Sequence, residues 1–138
     1  MSTIGPHQAL IYLMVTMAAV DGRMGEAEMN RIGAIVKRYP VFRNFDPNRL
    51  VNIAREAGDL LSIDGDEGLR TLLALVKEGL PARLRETAYA LAVEIAAADM
   101  KVPDVEIRLL QIIRDTLELD KLSCAAIERS AIARYAVL

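Results

Sequence analysis

The stretch Ala18-Ala19-Val20-Asp21-Gly22-Arg23-Met24-Gly25-Glu26-Ala27-Glu28-Met29 returns 78 residues later as Ala96-Ala97-Ala98-Asp99-Met100-Lys101-Val102-Pro103-Asp104-Val105-Glu106-Ile107. Both copies read as two alanines, any residue, Asp, any residue, a base, an aliphatic, any residue, an acid, any residue, Glu, an aliphatic. In each, an apolar helical run ends at the Asp and an amphipathic run begins four residues later. A period of this kind is the first thing to seek in a sequence. Two copies of one helix–acidic turn–helix unit predict a pseudo-two-fold pair of hairpins.

Working outward, helical periodicity fills the rest of the chain in seven segments. The first, about Pro6–Val20, is apolar nearly all round, the mark of a helix enclosed by others. The second, about Gly25–Tyr39, carries Met29, Ile32 and Val36 and stops before Pro40. The third opens with Asp46 as N-cap and Pro47 at the first helical position, then repeats Leu50, Ile53, Ala57 and Leu60. A fourth opens in Asp64-Gly65-Asp66-Glu67, read as capping, and carries Leu69, Leu72 and Val76 to Gly79. The fifth begins at Pro81 and repeats Leu84, Ala88, Leu91, Ile95 and Ala98. Ala88–Ala98 is broken only by Glu94 and reads as a second enclosed helix. The sixth starts at Pro103 with Leu110, Ile113 and Leu117 inward; the seventh, from about Asp120, uses Cys124, Ile127, Ala131 and Tyr135. No segment reads as a strand and no linker interrupts the series. The expectation is an all-α fold, one compact bundle of about seven helices, with residues 1–138 as a single domain.

Composition agrees. With 138 residues, 53% hydrophobic and 26% charged, the chain is too apolar to be disordered and long enough to bury a core. One cysteine, Cys124, excludes a disulfide framework, and it falls on an inward face far from any base. One histidine, His7, excludes a His-based triad or a multi-histidine metal site and reads as a solvated residue at a helix start. A net charge of −2, no Trp and only two Phe argue against nucleic acid as a partner. The longest apolar run, Ala9–Val20, spans about 18 Å as helix against a hydrocarbon core of about 30 Å, so direct membrane insertion is not expected. Met1–His7 has no Lys or Arg and so lacks the n-region of a signal peptide. Met14 and Met17 read as gap-filling core, and an adaptable contact surface is only the lesser reading of Met24 and Met29. Arg31, Lys37, Arg38 and Arg43 read as a solvated basic face. No Walker loop, dinucleotide fingerprint, nucleophile elbow or His-Glu-x-x-His motif occurs, which gives no organic cofactor a place.

The acidic residues of the repeat admit two readings. In the first they are helix caps. With Gly25 as N-cap, Glu28 is the glutamate of a capping box, and Glu26 and Asp104 lie where the helix dipole favours negative charge. Asp21 and Asp99 follow the carboxyl ends of helices, where the dipole opposes an anion, and need an Asx-turn to compensate. In the second reading the turns lie near each other and gather Asp21, Glu28, Asp99 and Glu106, with Glu26 and Asp104 close by. Such a cluster is relieved by a hard divalent cation, and oxygen-only ligands suit Ca²⁺ or Mg²⁺, with Mn²⁺ behind them. The eight-residue span from Asp21 to Glu28 is not the twelve-residue EF-hand loop. The same carboxylates would also serve a hydrolytic metalloenzyme, the weakest of the functional readings.

At these residues the chain resembles the tellurite-resistance TerB family and the related N-terminal domain of DjlA-type membrane co-chaperones. Those proteins run an alanine-rich helix into Ala-x-x-Asp-Gly-x-aliphatic-x-x-x-Glu, matched here by Ala18 to Glu28 and again by Ala97-Ala98-Asp99 with Glu106. The second copy differs in carrying Met100 for the usual glycine, and Gly25 and Pro103 stand where a Ser, Thr or Asp cap is common. The resemblance implies a cytoplasmic, non-enzymatic helical module with an acidic, metal-binding surface. It also implies a role in tellurite and chemical stress and a protein partner, often in a membrane-associated complex. It leaves a homo-oligomer open. The rival expectation is a metal-free interaction scaffold whose acidic residues only cap helices.

Overall fold

The computed structural model describes residues 3–20, 24–63, 65–98 and 102–138. Among the described residues seven α-helices follow one another: α1 (Pro6–Ala19), α2 (Glu26–Arg38), α3 (Leu50–Leu61), α4 (Glu67–Gly79), α5 (Arg85–Ala97), α6 (Asp104–Thr116) and α7 (Lys121–Arg134). Short 3₁₀ turns, Pro40–Phe42, Pro47–Arg49 and Ala82–Leu84, join α2 to α3 and lead into α3 and α5. No strand occurs among the described residues. None of their helices is long and apolar enough to cross a membrane.

The two helices that read as enclosed form the centre. Every residue of α1 from Ala9 to Ala18 is buried, and in α5 burial runs from Ala88 to Ala96 with Ala90 and Glu94 partly excepted. α1 packs on α5, with α3 and α4 against the flanks of α1 and α6 and α7 against α5. α2 lies across both central helices, and α4 touches α6 to close the far side. The outer helices bury the stripes expected of them, Ile32 and Val36, Leu50, Ile53 and Ala57, Leu72 and Val76, Leu110 and Ile113, Cys124 and Ala131. At roughly 1.5–3 kcal/mol for each large side chain removed from water, this burial dominates the favourable side of folding. Burial pushes the Cys124 thiol up, so it stays a protonated core side chain at neutral pH.

Two local expectations are corrected. His7 is not a solvated residue. Its Nε2 donates to the Val41 carbonyl at 2.8 Å, and its ring lies 5.6 Å from that of Phe42 and 5.2 Å from that of Phe45. The chain after α2 turns at Pro40 and folds back onto the start of α1, a long-range contact that helical periodicity does not encode. Asp66, at the N-cap of α4, makes no side-chain capping bond. A capping residue needs extended backbone, and Asp66 follows Gly65 (φ +69°) with φ −90° and ψ 1° instead. Asp64 lies outside the described residues. Asp46 and Asp120 do cap, accepting from Asn48 N at 3.0 Å and Ser123 N at 2.9 Å. The backbone donor of Ser123 lowers the Asp120 pKa.

α7 is tied down by half-buried carboxylates. Tyr89 of α5 donates to Glu128 Oε2, which also accepts from Arg114 of α6 at 2.9 Å. At the far end of α7, Tyr135 and Arg134 both donate to Glu94. Its hydrogen bond to Glu94 and then burial push the Tyr135 phenol up to about 12; burial and then Glu128 raise Tyr89 further.

The close approach of α3 and α4 requires a glycine. A Cβ on Gly68 would collide with the Leu60 backbone carbonyl, whereas one on Gly58 would meet nothing within 4 Å. Gly68→Ala is therefore expected to destabilise by about 3 kcal/mol or more, by analogy with overpacked cores. Gly58→Ala, in an open helical position, is expected to stabilise by roughly 0.5–1 kcal/mol. Urea unfolding of both variants checks the contrast. Because folding raises the Tyr135 and Tyr89 phenol pKa values, their contribution to stability is complete below about pH 10 and declines as pH approaches about 12. Unfolding midpoints measured across that window should fall steeply in the parent and less steeply in Tyr135→Phe.

Candidate functional site

Sequence patterning puts the candidate chemistry at the ends of α1 and α5 and the starts of α2 and α6. The start of α2 is set by Gly25, an extended N-cap, and that of α6 by Pro103, also extended. The bounds of α6 are those of α2 moved on by 78 residues, so the register of the repeat is kept by the helices themselves. Glu26 and Glu28 occupy the first turn of α2, Asp104 and Glu106 the first turn of α6. Those positions favour negative charge through the helix dipole.

The four are not alike. Glu26 and Asp104 are exposed, Glu28 is half-buried, and Glu106 is only 3% exposed. The Glu28 carboxylate turns back over its own N-cap, with Oε2 3.0 Å from where a Cβ on Gly25 would stand. Among the described residues, Glu106 is the one charged side chain that is buried. Asp21 and Asp99, the other two principal candidates, lie outside the described residues. Among the described residues, no three His, Cys, Asp or Glu side chains come close enough to hold a metal ion. Glu26, Glu28, Asp104 and Glu106 therefore do not make a closed site by themselves.

Sequence reasoning missed what lies beside the turns. A groove of about 390 Å³ opens next to the first, between the end of α1 (Val15, Ala19), Met24, the end of α3 (Gly58, Leu61) and Leu69 of α4. A second, of about 310 Å³, opens next to the other turn between Val93, Ala97, Val102, Leu110 and α7. Val15, Ala19 and Met24 in the first correspond to Val93, Ala97 and Val102 in the second, each 78 residues on. The signal was available in part, since Met24 had the look of a contact residue. The volumes depend on how α3, α4 and α7 cover the repeat, and this is invisible in a single helix's pattern.

The profile of the family described as "Tellurite resistance protein TerB" matches residues 7–129. The chain belongs to the TerB family. The match runs from the first turn of α1 into α7 and takes in both acidic turns. No curated protein and no solved structure is detectably similar to it.

Capping and ligation make different demands on Glu28. In chelator, Glu28→Ala is expected to cost about 0.5–1 kcal/mol through the lost first-turn charge, and exposed Glu26→Ala less than half of that. Urea unfolding in EDTA reads both.

Proposed function

We propose that this TerB-family chain is a non-enzymatic tellurite- and stress-response module of the cytoplasm. Its two acidic turns hold a divalent cation, Ca²⁺ or Mg²⁺ before Mn²⁺, and present a surface to a protein partner, including one in a membrane-associated complex. The observation that carries the reading is the coincidence of family membership with a buried carboxylate, Glu106, at the repeat position of Glu28. The donor set, Asp21, Glu28, Asp99 and Glu106 with Glu26 and Asp104 outside it, is all oxygen. It suits a hard cation and gives soft or imidazole-seeking metals no ligand. When bound, the cation would neutralise the clustered carboxylates. The chain's own part is to bring two helix starts and two helix ends to fixed positions on the α1–α5 core.

A second reading is a metal-free interaction scaffold. It is favoured by the turned-back Glu28 over Gly25 and by the lack of a three-ligand group among the described residues.

Thermal unfolding of chelated protein, titrated with Ca²⁺, Mg²⁺, Mn²⁺ and Zn²⁺, separates them. A site filled at a hundred times Kd adds about 2.7 kcal/mol to the folded state. At about 3 °C per kcal/mol for a chain of this size, the midpoint should rise by roughly 8 °C. The rise is expected with Ca²⁺ or Mg²⁺ and is expected to vanish in Asp21→Asn/Asp99→Asn and in Glu106→Gln. A flat response to every cation leaves the scaffold reading in possession.

A further inference from the structure

The groove beside the first turn does not end at Leu69. Past Val20, Leu69 and Leu109, which it shares, it runs on as a furrow of about 410 Å³ between α4 and α6. Leu69 and Leu73 supply one wall; Val105, Leu109 and Ile112 supply the other, at i, i+4 and i+7 on α6. Val105 is 44% exposed and Ile112 37%. These are aliphatic side chains at positions where an amphipathic outer helix ordinarily carries polar ones. Alongside them stand Arg70 and Arg108, both exposed and neither in an ion pair among the described residues, against the single carboxylate of Asp66.

We propose that this α3–α4–α6 furrow is the partner-docking surface and that its occupant is an acidic amphipathic helical segment of another protein. The continuity of the two grooves through Val20, Leu69 and Leu109 argues for an extended occupant such as a peptide. The apolar spacing argues for a helix, whose own i, i+3, i+4 and i+7 side chains fit such a channel. The charge argues for acidity, since Arg70 and Arg108 would meet carboxylates on the flank of the docked helix. Rim charges of this kind set orientation and reject basic competitors more than they add affinity. Met24 lines the end near the first turn, where an unbranched side chain can adjust to a partner's shape. The inference deepens the reading of the chain as a partner-presenting module but does not need the cation.

The test uses fluorescein-labelled helical peptides of about 14 residues with leucines at helical spacing. One is flanked by glutamates, one by lysines, and one is a scramble of the first; anisotropy is read with the full chain in EDTA and in Ca²⁺. The glutamate peptide is expected to bind, and the lysine peptide to bind about tenfold more weakly or worse. Arg70→Glu/Arg108→Glu should reverse that preference, and Val105→Asp/Ile112→Asp should abolish binding. All four positions are exposed, and an unchanged helical circular dichroism spectrum and midpoint certify each variant as folded. Equal binding of both charged peptides, binding that survives Val105→Asp/Ile112→Asp, or no binding of the glutamate peptide overturns the proposal. So does self-association in sedimentation that Ile112→Asp removes, which would give the furrow to a second copy of the chain. Peptide binding in EDTA with no cation-dependent midpoint upholds the furrow while removing the cation. A cation-raised midpoint without peptide binding removes the furrow alone.

Discussion

Two helices without a polar face determine the rest of this structure. α1 and α5 are apolar on nearly every side, so each must be covered on every side, and packing them on each other covers only one. The remaining five helices complete the cover, with α3 and α4 against α1, α6 and α7 against α5, and α2 across both. Each outer helix needs only one apolar stripe, which leaves its other face free for water. A central pair of this kind has no lateral surface for chemistry. Charged and polar side chains are pushed to the ends of the central helices and to the seams between their covers.

That constraint explains where the charged side chains fall. Half-buried carboxylates at the α5–α7 seam are tied to specific donors, as Glu94 is to Tyr135 and Arg134, and Glu128 to Tyr89 and Arg114. These pairs hold α7 on α5, and their value lies in leaving no half-buried charge alone more than in attraction as such. The carboxylates of the repeat sit in first helical turns, where the helix dipole favours negative charge. Glu106 at its 3% exposure goes furthest inward of them.

The architecture was legible because helices announce themselves locally. Period, proline and glycine positions, and the apolar runs at Ala9–Val20 and Ala88–Ala98, each broken by one polar residue, placed seven helices with ends within a few residues of those observed. What failed was long-range or conformational. His7 looked solvated because nothing near it in the chain covers it; Val41, Phe42 and Phe45 arrive from beyond α2. Asp66 looked like a cap because its residue type is right, but the φ +69° of Gly65 before it sets a backbone from which the side chain does not reach. The candidate ligands were legible as separate residues and not as a site, since distance between two turns 78 residues apart is a property of packing. The furrow had a faint signature: Val105 and Ile112 lie seven residues apart, off the stripe of Leu110, Ile113 and Leu117 assigned to the core.

The same constraint makes one repeated sequence yield two different grooves. Val15, Ala19 and Met24 and their counterparts Val93, Ala97 and Val102 line the two sides in the same register. Their surroundings differ because the chain has different helices left to cover each hairpin. Beside the second turn lies α7, whose Glu128 is already committed to Arg114 and Tyr89, so that groove carries its charges internally neutralised. Beside the first lie the end of α3 and the start of α4, which the absent Cβ of Gly68 allows to approach closely. The furrow then continues along α6 to two arginines that no carboxylate among the described residues pairs with. Repetition supplies the apolar walls, and the unrepeated helices decide which charges stand beside each one.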